Sequence, residues 1–225
     1  MINLMNTNLM NTMELDLVSL RTGHLKHLPG VNLEDEDLQE AELSQANLAG
    51  ANLVGTTLSY ANLKGARLDG ANLMGAKLIG ADLRANLLGS NLMQADLTQA
   101  DLRGSNLRGA NLMGSTLTQA SLAGAFLSGV NLMGVNLQGA DLRGSDLRGA
   151  NLNNANLKGV DLSYADLQGA SLTQANLEEA DLRGANLIGA NFREAHLLCA
   201  ELEGATLTGI NWDGACLVGT SQNPG

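Results

Sequence analysis

From Val31 to Gly219 a leucine returns every five residues, and that interval is what most narrows the folds open to this chain. Residues five apart on an α-helix lie ~140° from one another, so the leucines would spiral off any face a helix could bury. On a continuous strand side chains alternate with period two, and every second leucine would point the wrong way. The chain direction must therefore be reset once per five-residue frame. Of 38 frames, 36 have leucine at the centre, with Phe192 and Trp212 the exceptions, and 27 have alanine two residues earlier. Residues two apart on an extended segment face the same way, which puts alanine and leucine together inside. The frame closes with glycine in 24 cases. A type II turn needs positive φ at its second central residue, which glycine adopts without steric cost. Each frame thus reads as a short extended piece and a corner, and their repetition makes a coil with an alanine–leucine interior.

Composition agrees with a core built this way. Aromatic residues make up only 2% of the 225 residues, whereas a core of this size normally draws much of its buried area from rings. The hydrophobic fraction, 44%, is too high for a disordered chain. Two cysteines exclude a disulfide framework. No apolar run approaches the ~18 residues of a membrane helix. The opening MINLMNTNLMNTMELDLVSL has neither a basic segment nor a continuous apolar one, so it is not a signal peptide. These features, with a formal net charge of -10, describe an acidic, soluble, cytoplasmic protein that does not enter membranes.

The frames A-N-L-x-G and A-D-L-x-x resemble those of pentapeptide-repeat proteins, in particular the leucine-centred type common in cyanobacteria. The resemblance covers about residues 31–219 and implies an all-β fold, a right-handed quadrilateral β-helix with four pentapeptides per coil. With coils ~4.8 Å apart, about nine and a half of them make a rod roughly 45 Å long. Residues 1–30 then form an N-terminal capping segment and residues 220–225 a C-terminal tail. Asn11-Thr12 ahead of MELDLVSL can N-cap a short helix there, and a solenoid's first coil needs such a cover for its core and strand edges. The register breaks once. Ala81-Asp82-Leu83-Arg84 lacks its fifth residue before Ala85 opens a new frame, leaving a coil one residue short. Two readings stand: a tightened turn, or an exposed corner used by a partner.

With four frames per coil, residues twenty apart stack, or nineteen apart across the short coil. One column holds Val54, Met74, Met93, Met113 and Met133 beside asparagines 32, 52, 72, 91, 111, 131 and 151. It is either a duplicated methionine partly covered by stacking or an apolar stripe for a partner. Another column holds Lys64, Arg84, Arg103, Arg143 and Arg183 beside aspartates 82, 101, 141, 161 and 181. It is either a solvated, self-paired charge ladder or a phosphate or acidic-partner site. Charge varies along the chain: residues 1–63 carry 2 basic and 8 acidic groups, residues 64–158 carry 9 and 6, and residues 159–225 carry 2 and 9. Cys199 and Cys216 fall at different frame positions one coil apart, ~10 Å along the strand, and read as free thiols.

No catalytic, cofactor or metal constellation emerges. His24-x-x-His27 lacks a third ligand nearby. The glycines are corner residues rather than a phosphate loop, and the carboxylates lie along ladders rather than paired in a pocket. The expectation is a non-enzymatic scaffold binding a protein partner, with no cofactor and no nucleic acid. The alternative, raised by the same resemblance, is a DNA-mimicking inhibitor of a type II topoisomerase such as DNA gyrase. Members of that class are acidic rods with frequent central phenylalanine and a C-terminal dimerisation helix. Here the centre is leucine, the middle segment is net positive and no such helix is legible. Trp212 replaces leucine in the last coil, where it either plugs the core or joins two rods end to end. The expected state is a monomer or a weak dimer through the C-terminal end.

Overall fold

The computed structural model describes residues 16–221. Its backbone winds in coils of twenty residues. Parallel bridges join each coil to the next at four places, beginning with His27 to Asn47, Asn32 to Asn52, Asp37 to Thr57 and Glu42 to Asn62. Four ladders result, named here by their first residues. Pairing does not extend beyond one residue per frame among the described residues, so each extended piece is a single bridged residue between two corners.

The backbone donors of one frame explain the motif. In the frame centred on Leu53, the Ala51 N–H donates to Leu48 O across the preceding corner at 3.0 Å, and the Asn52 N–H to Val31 O on the previous coil at 2.8 Å. The Leu53 N–H donates to Asn72 O at 2.7 Å and the Gly55 N–H to Met74 O at 3.0 Å, both on the next coil. The fifth donor, Val54 N–H, is taken by the side-chain oxygen of Asn52 at 3.4 Å. The same bond recurs from Arg143 N to Asp141 Oδ1 at 3.1 Å and from Asp213 N to Asn211 Oδ1 at 2.9 Å. The position before the leucine is Asn or Asp because a short side-chain acceptor satisfies the one donor that no coil can reach.

The interior is continuous. Central leucines from Leu33 to Leu197 and inward alanines between them are essentially inaccessible, each leucine contributing ~1.5–3 kcal/mol by leaving water. At the corners the last residue of the frame has positive φ whether or not it is glycine: Gly50 65°, Asp35 58°, Tyr60 61°. Beneath the tyrosines glycine is required by contact as well as by φ. A Cβ on Gly80 would meet the Tyr60 ring at 2.6 Å, and one on Gly184 the Tyr164 ring at 2.7 Å.

The ladder starts before Val31. His27 already pairs with Asn47, Leu28 is buried, and Pro29–Gly30 form a corner, so the frame Lys26–Gly30 is part of the first coil. Its central Leu28 keeps the five-residue spacing to Leu33, but an exposed lysine where the motif has alanine masked the frame in the sequence. Ahead of it α1 spans Leu17–Arg21. Asp16 caps this helix, accepting from the Val18 and Ser19 N–H groups at 3.1 Å each. The Asn11-Thr12 cap expected from the sequence lies outside the described residues. Leu20 is fully buried, and Leu17 and Leu25 pack on the core. Arg21 O and Lys26 O accept from the Glu42 and Asn47 N–H groups at 2.8 and 2.7 Å, stitching this segment to the coil edge. The last described coil is different: Leu207, Ile210, Trp212 and Leu217 are only half buried.

Candidate interaction surfaces

The asparagine face follows the Asn32 ladder. Its carboxamides bond between coils: Asn52 Nδ2 donates to Asn32 Oδ1 at 2.8 Å, Asn91 to Asn72 at 3.0 Å, Asn131 to Asn111 at 3.1 Å and Asn151 to Asn131 at 3.2 Å. In each pair the asparagine that donates to the preceding coil also accepts from its own frame, as Asn52 Oδ1 does from Val54 N, which fixes its rotamer. Beside them Val54, Met74, Met93, Met113 and Met133 fall in one column, as the twenty-residue spacing predicts. Met74 and Met133 are 39% and 38% exposed, and the other three are half buried. The outward positions of seven successive frames on this face, from Asn52 to Gln174, carry no ionisable side chain. They extend over ~29 Å.

The Glu42 ladder carries the opposite chemistry. Arg103 Nη2 lies 2.6 Å from Asp101 Oδ2, Arg143 2.7 Å from Asp141 and Arg183 2.6 Å from Asp181. Arg84 pairs with Asp82 in the same way. Most reach a second carboxylate on the next coil: Arg84 to Asp101 at 3.4 Å, Arg143 to Asp161 at 3.6 Å, Arg183 to Glu201 at 3.0 Å. Hydrogen bonds from these guanidinium groups hold the carboxyls of Asp82, Asp101, Asp141 and Asp181 below the usual carboxylate range, against a smaller opposing effect of burial. Arg84, Arg103 and Arg143 are therefore occupied within the ladder.

The two aromatic exceptions to central leucine meet. Phe192 and Trp212 are twenty residues apart, and their rings stack with centroids 4.9 Å apart, tilted by 30°. Phe192 is fully buried and Trp212 half buried above it. Their twenty-residue spacing already places them on successive coils. Cys199 and Cys216 are free thiols. Among the described residues, no His, Cys, Asp and Glu side chains gather as a metal site, and no helix is long and apolar enough to cross a membrane.

The family model described as pentapeptide repeats matches in eight copies within residues 27–211. Among solved structures, the chain is 33% identical to HetL of the cyanobacterium Nostoc sp. strain PCC 7120, a pentapeptide repeat protein involved in regulating heterocyst differentiation. The match covers 89% of this chain and 92% of HetL, with a TM-score of 0.81. A second pentapeptide repeat protein from Nostoc PCC 7120 is 38% identical over 40% of this chain and 83% of its own, with a TM-score of 0.37. QnrB1, a plasmid-mediated fluoroquinolone resistance protein, is 19% identical over 82% of this chain and 92% of its own, with a TM-score of 0.49. No curated protein matches the sequence.

Proposed function

The chain belongs to the pentapeptide-repeat family, and from that premise we propose that it is a non-enzymatic scaffold whose asparagine–methionine face binds a protein partner in the cytoplasm. In this reading the coils form a right-handed quadrilateral β-helix, the shape the family implies. One observation carries the proposal: seven successive frames of the Asn32 ladder present no charge, in a chain of net charge -10. On the Glu42 ladder carboxylates and guanidinium groups pair with one another. On the Asn32 ladder a row of methionine thioethers, adaptable in shape, sits beside rotamer-locked amides. That is the composition of a protein interface, with little charge to desolvate and flexible apolar side chains to pack. HetL's part in regulating heterocyst differentiation supports a regulatory role for this chain as well.

The leucine-filled interior supports the non-enzymatic part. A duplex mimic should be acidic along its length, and the net charge of +3 over residues 64–158, from 9 basic and 6 acidic groups, weighs against that alternative. Photo-crosslinking in the source cells tests the proposal. A benzophenone side chain at position 93 or 113 is expected to trap one discrete protein, and the same group at position 103 or 143 is expected to trap none. Equal trapping from both faces overturns the assignment. In a gyrase supercoiling assay the protein is expected to be without effect.

A further inference from the structure

We propose that the short coil forms a second site, separate from the methionine face, that binds the carboxylate of an acidic side chain on a protein partner. The site begins with the missing residue. At Leu83-Arg84-Ala85 there is neither a glycine nor a positive φ, so the corner is cut short. A shallow recess of about 450 Å³ opens beside it, lined among others by Arg67, Arg84, Ala85, Arg108 and Phe126.

Arg108 is the unusual member. In the repeated A-D-L-R frame an arginine pairs with the aspartate two residues before it and, where the next coil offers one, with a second carboxylate there. Arg148, on the same ladder, has Nε 2.8 Å from Asp146 Oδ1 and 3.6 Å from Asp166 Oδ2. For Arg108 both of those positions are uncharged, being Asn106 and Phe126. Its one side-chain hydrogen bond runs from Nη1 to Asn106 Oδ1 at 3.4 Å, and it is the one arginine among the described residues without an ion pair.

Phe126 is equally exceptional. It occupies the position that is Asn or Asp in 26 of 38 frames, and it gives up the side-chain acceptor that asparagine or aspartate supplies there. Its ring is 41% exposed, and the Arg108 guanidinium carbon lies 4.4 Å from the ring centroid. The ring holds one face of the guanidinium by a cation–π contact and leaves the N–H edge free to donate to an anion. A planar, singly charged carboxylate matches that edge and a guanidinium without an ion pair. A dianionic phosphate matches less well, because Asp69, Asp82 and Asp101 stay close to Arg67 and Arg84 and repel the second charge.

The test is an NMR titration of the full chain labelled at its nine arginines. The Arg108 Nε signal is assigned with Arg108→Gln, and the probes are acetyl-Gly-Glu-Gly-amide and inorganic phosphate. With the peptide, the expected result is a saturable shift of the Arg108 signal larger than that of any other arginine. Phe126→Leu should weaken the peptide about threefold, the loss of one exposed cation–π contact. Uniform shifts across the arginines, no shift at Arg108, or tighter saturation by phosphate would overturn the proposal. None of these outcomes depends on the methionine face, which the crosslinking experiment addresses separately.

Discussion

The Asn32 and Glu42 ladders are two sides of the same coils, built on the same leucines, yet they solve the same backbone problem with different chemistry. Both place a short acceptor before the leucine to take the outward N–H of the frame. On the first side that acceptor is a neutral amide. Its spare N–H can donate to the preceding coil, as Asn131 does to Asn111 and Asn151 to Asn131, and the following position is left for methionine. On the second the acceptor is a carboxylate, which has no donor to give. Two stacked carboxylates repel, and the following position becomes arginine, which bridges them. Methionine beside asparagine and arginine beside aspartate recur on these two ladders, with exceptions such as Asn62-Leu63-Lys64 and Asp161-Leu162-Ser163 on the second. The amide side gains an uncharged surface, and the acid side spends its charge on itself.

The sharpest way to break this comparison is to show that the two sides do not share a core. Leu112 lies next to Met113 and Leu142 next to Arg143, and both are buried. Leu112→Asp and Leu142→Asp are each expected to destabilise the protein by at least about 4 kcal/mol, since each buries an unpaired carboxylate. Denaturant unfolding that spares one variant would mean that one ladder is peripheral.

A smaller effect is expected on the amide side. Asn131 accepts from Met133 N at 3.3 Å and from Asn151 Nδ2 at 3.2 Å, and donates to Asn111 Oδ1 at 3.1 Å. Asn131→Ala should cost about 1–2 kcal/mol, because it breaks the chain of amides and strands the half-buried neighbours. Asn131→Asp keeps the acceptor for Met133 N but cannot donate to Asn111, and should fall between the two. If Asn131→Asp matches wild type, the amide ladder is decoration rather than structure.

How much of this was legible in the sequence follows from what repeats. The leucine register, the positive-φ corners, the stacked columns and the short coil come from spacing, and spacing survives in a single sequence. The reason for Asn or Asp before the leucine did not, because it lies in a bond from side chain to backbone that periodicity does not show. The Phe192–Trp212 stack and the Arg108–Phe126 pair lay hidden for another reason. Both are departures from the repeat, and the coil spacing brings such departures near one another without showing that their side chains touch. Lys26 hid the first frame in the same way, by standing where the pattern has alanine.

The weakest expected effect separates the two sides by pH. Hydrogen bonding and charge from Arg143 lower the Asp141 carboxyl from its usual value of 3.8. A carboxyl whose pKa is depressed by folding adds stability that is fully present above its unfolded value and is lost as pH falls through its folded value. Asp141→Asn should therefore lower the melting temperature at pH 7. The gap to wild type should shrink from about pH 4 downward and close once the native carboxyl is protonated. Asp141 is partly solvated and Arg143 largely so, so screening keeps the effect to about 1–3 °C, and 1 M salt should reduce it further. Met133→Gln on the amide side exchanges one neutral side chain for another and should leave the acid limb of the stability curve unchanged. Melting curves of both variants from pH 2 to 7 decide the matter. A wild-type-like melting temperature for Asp141→Asn at pH 7 would show that the carboxylate acts there only as a hydrogen-bond acceptor for Arg143 N–H, the role asparagine plays on the other ladder, and that its charge adds nothing to the fold. A gap that persists at pH 2 would show that the loss has a cause other than the charge.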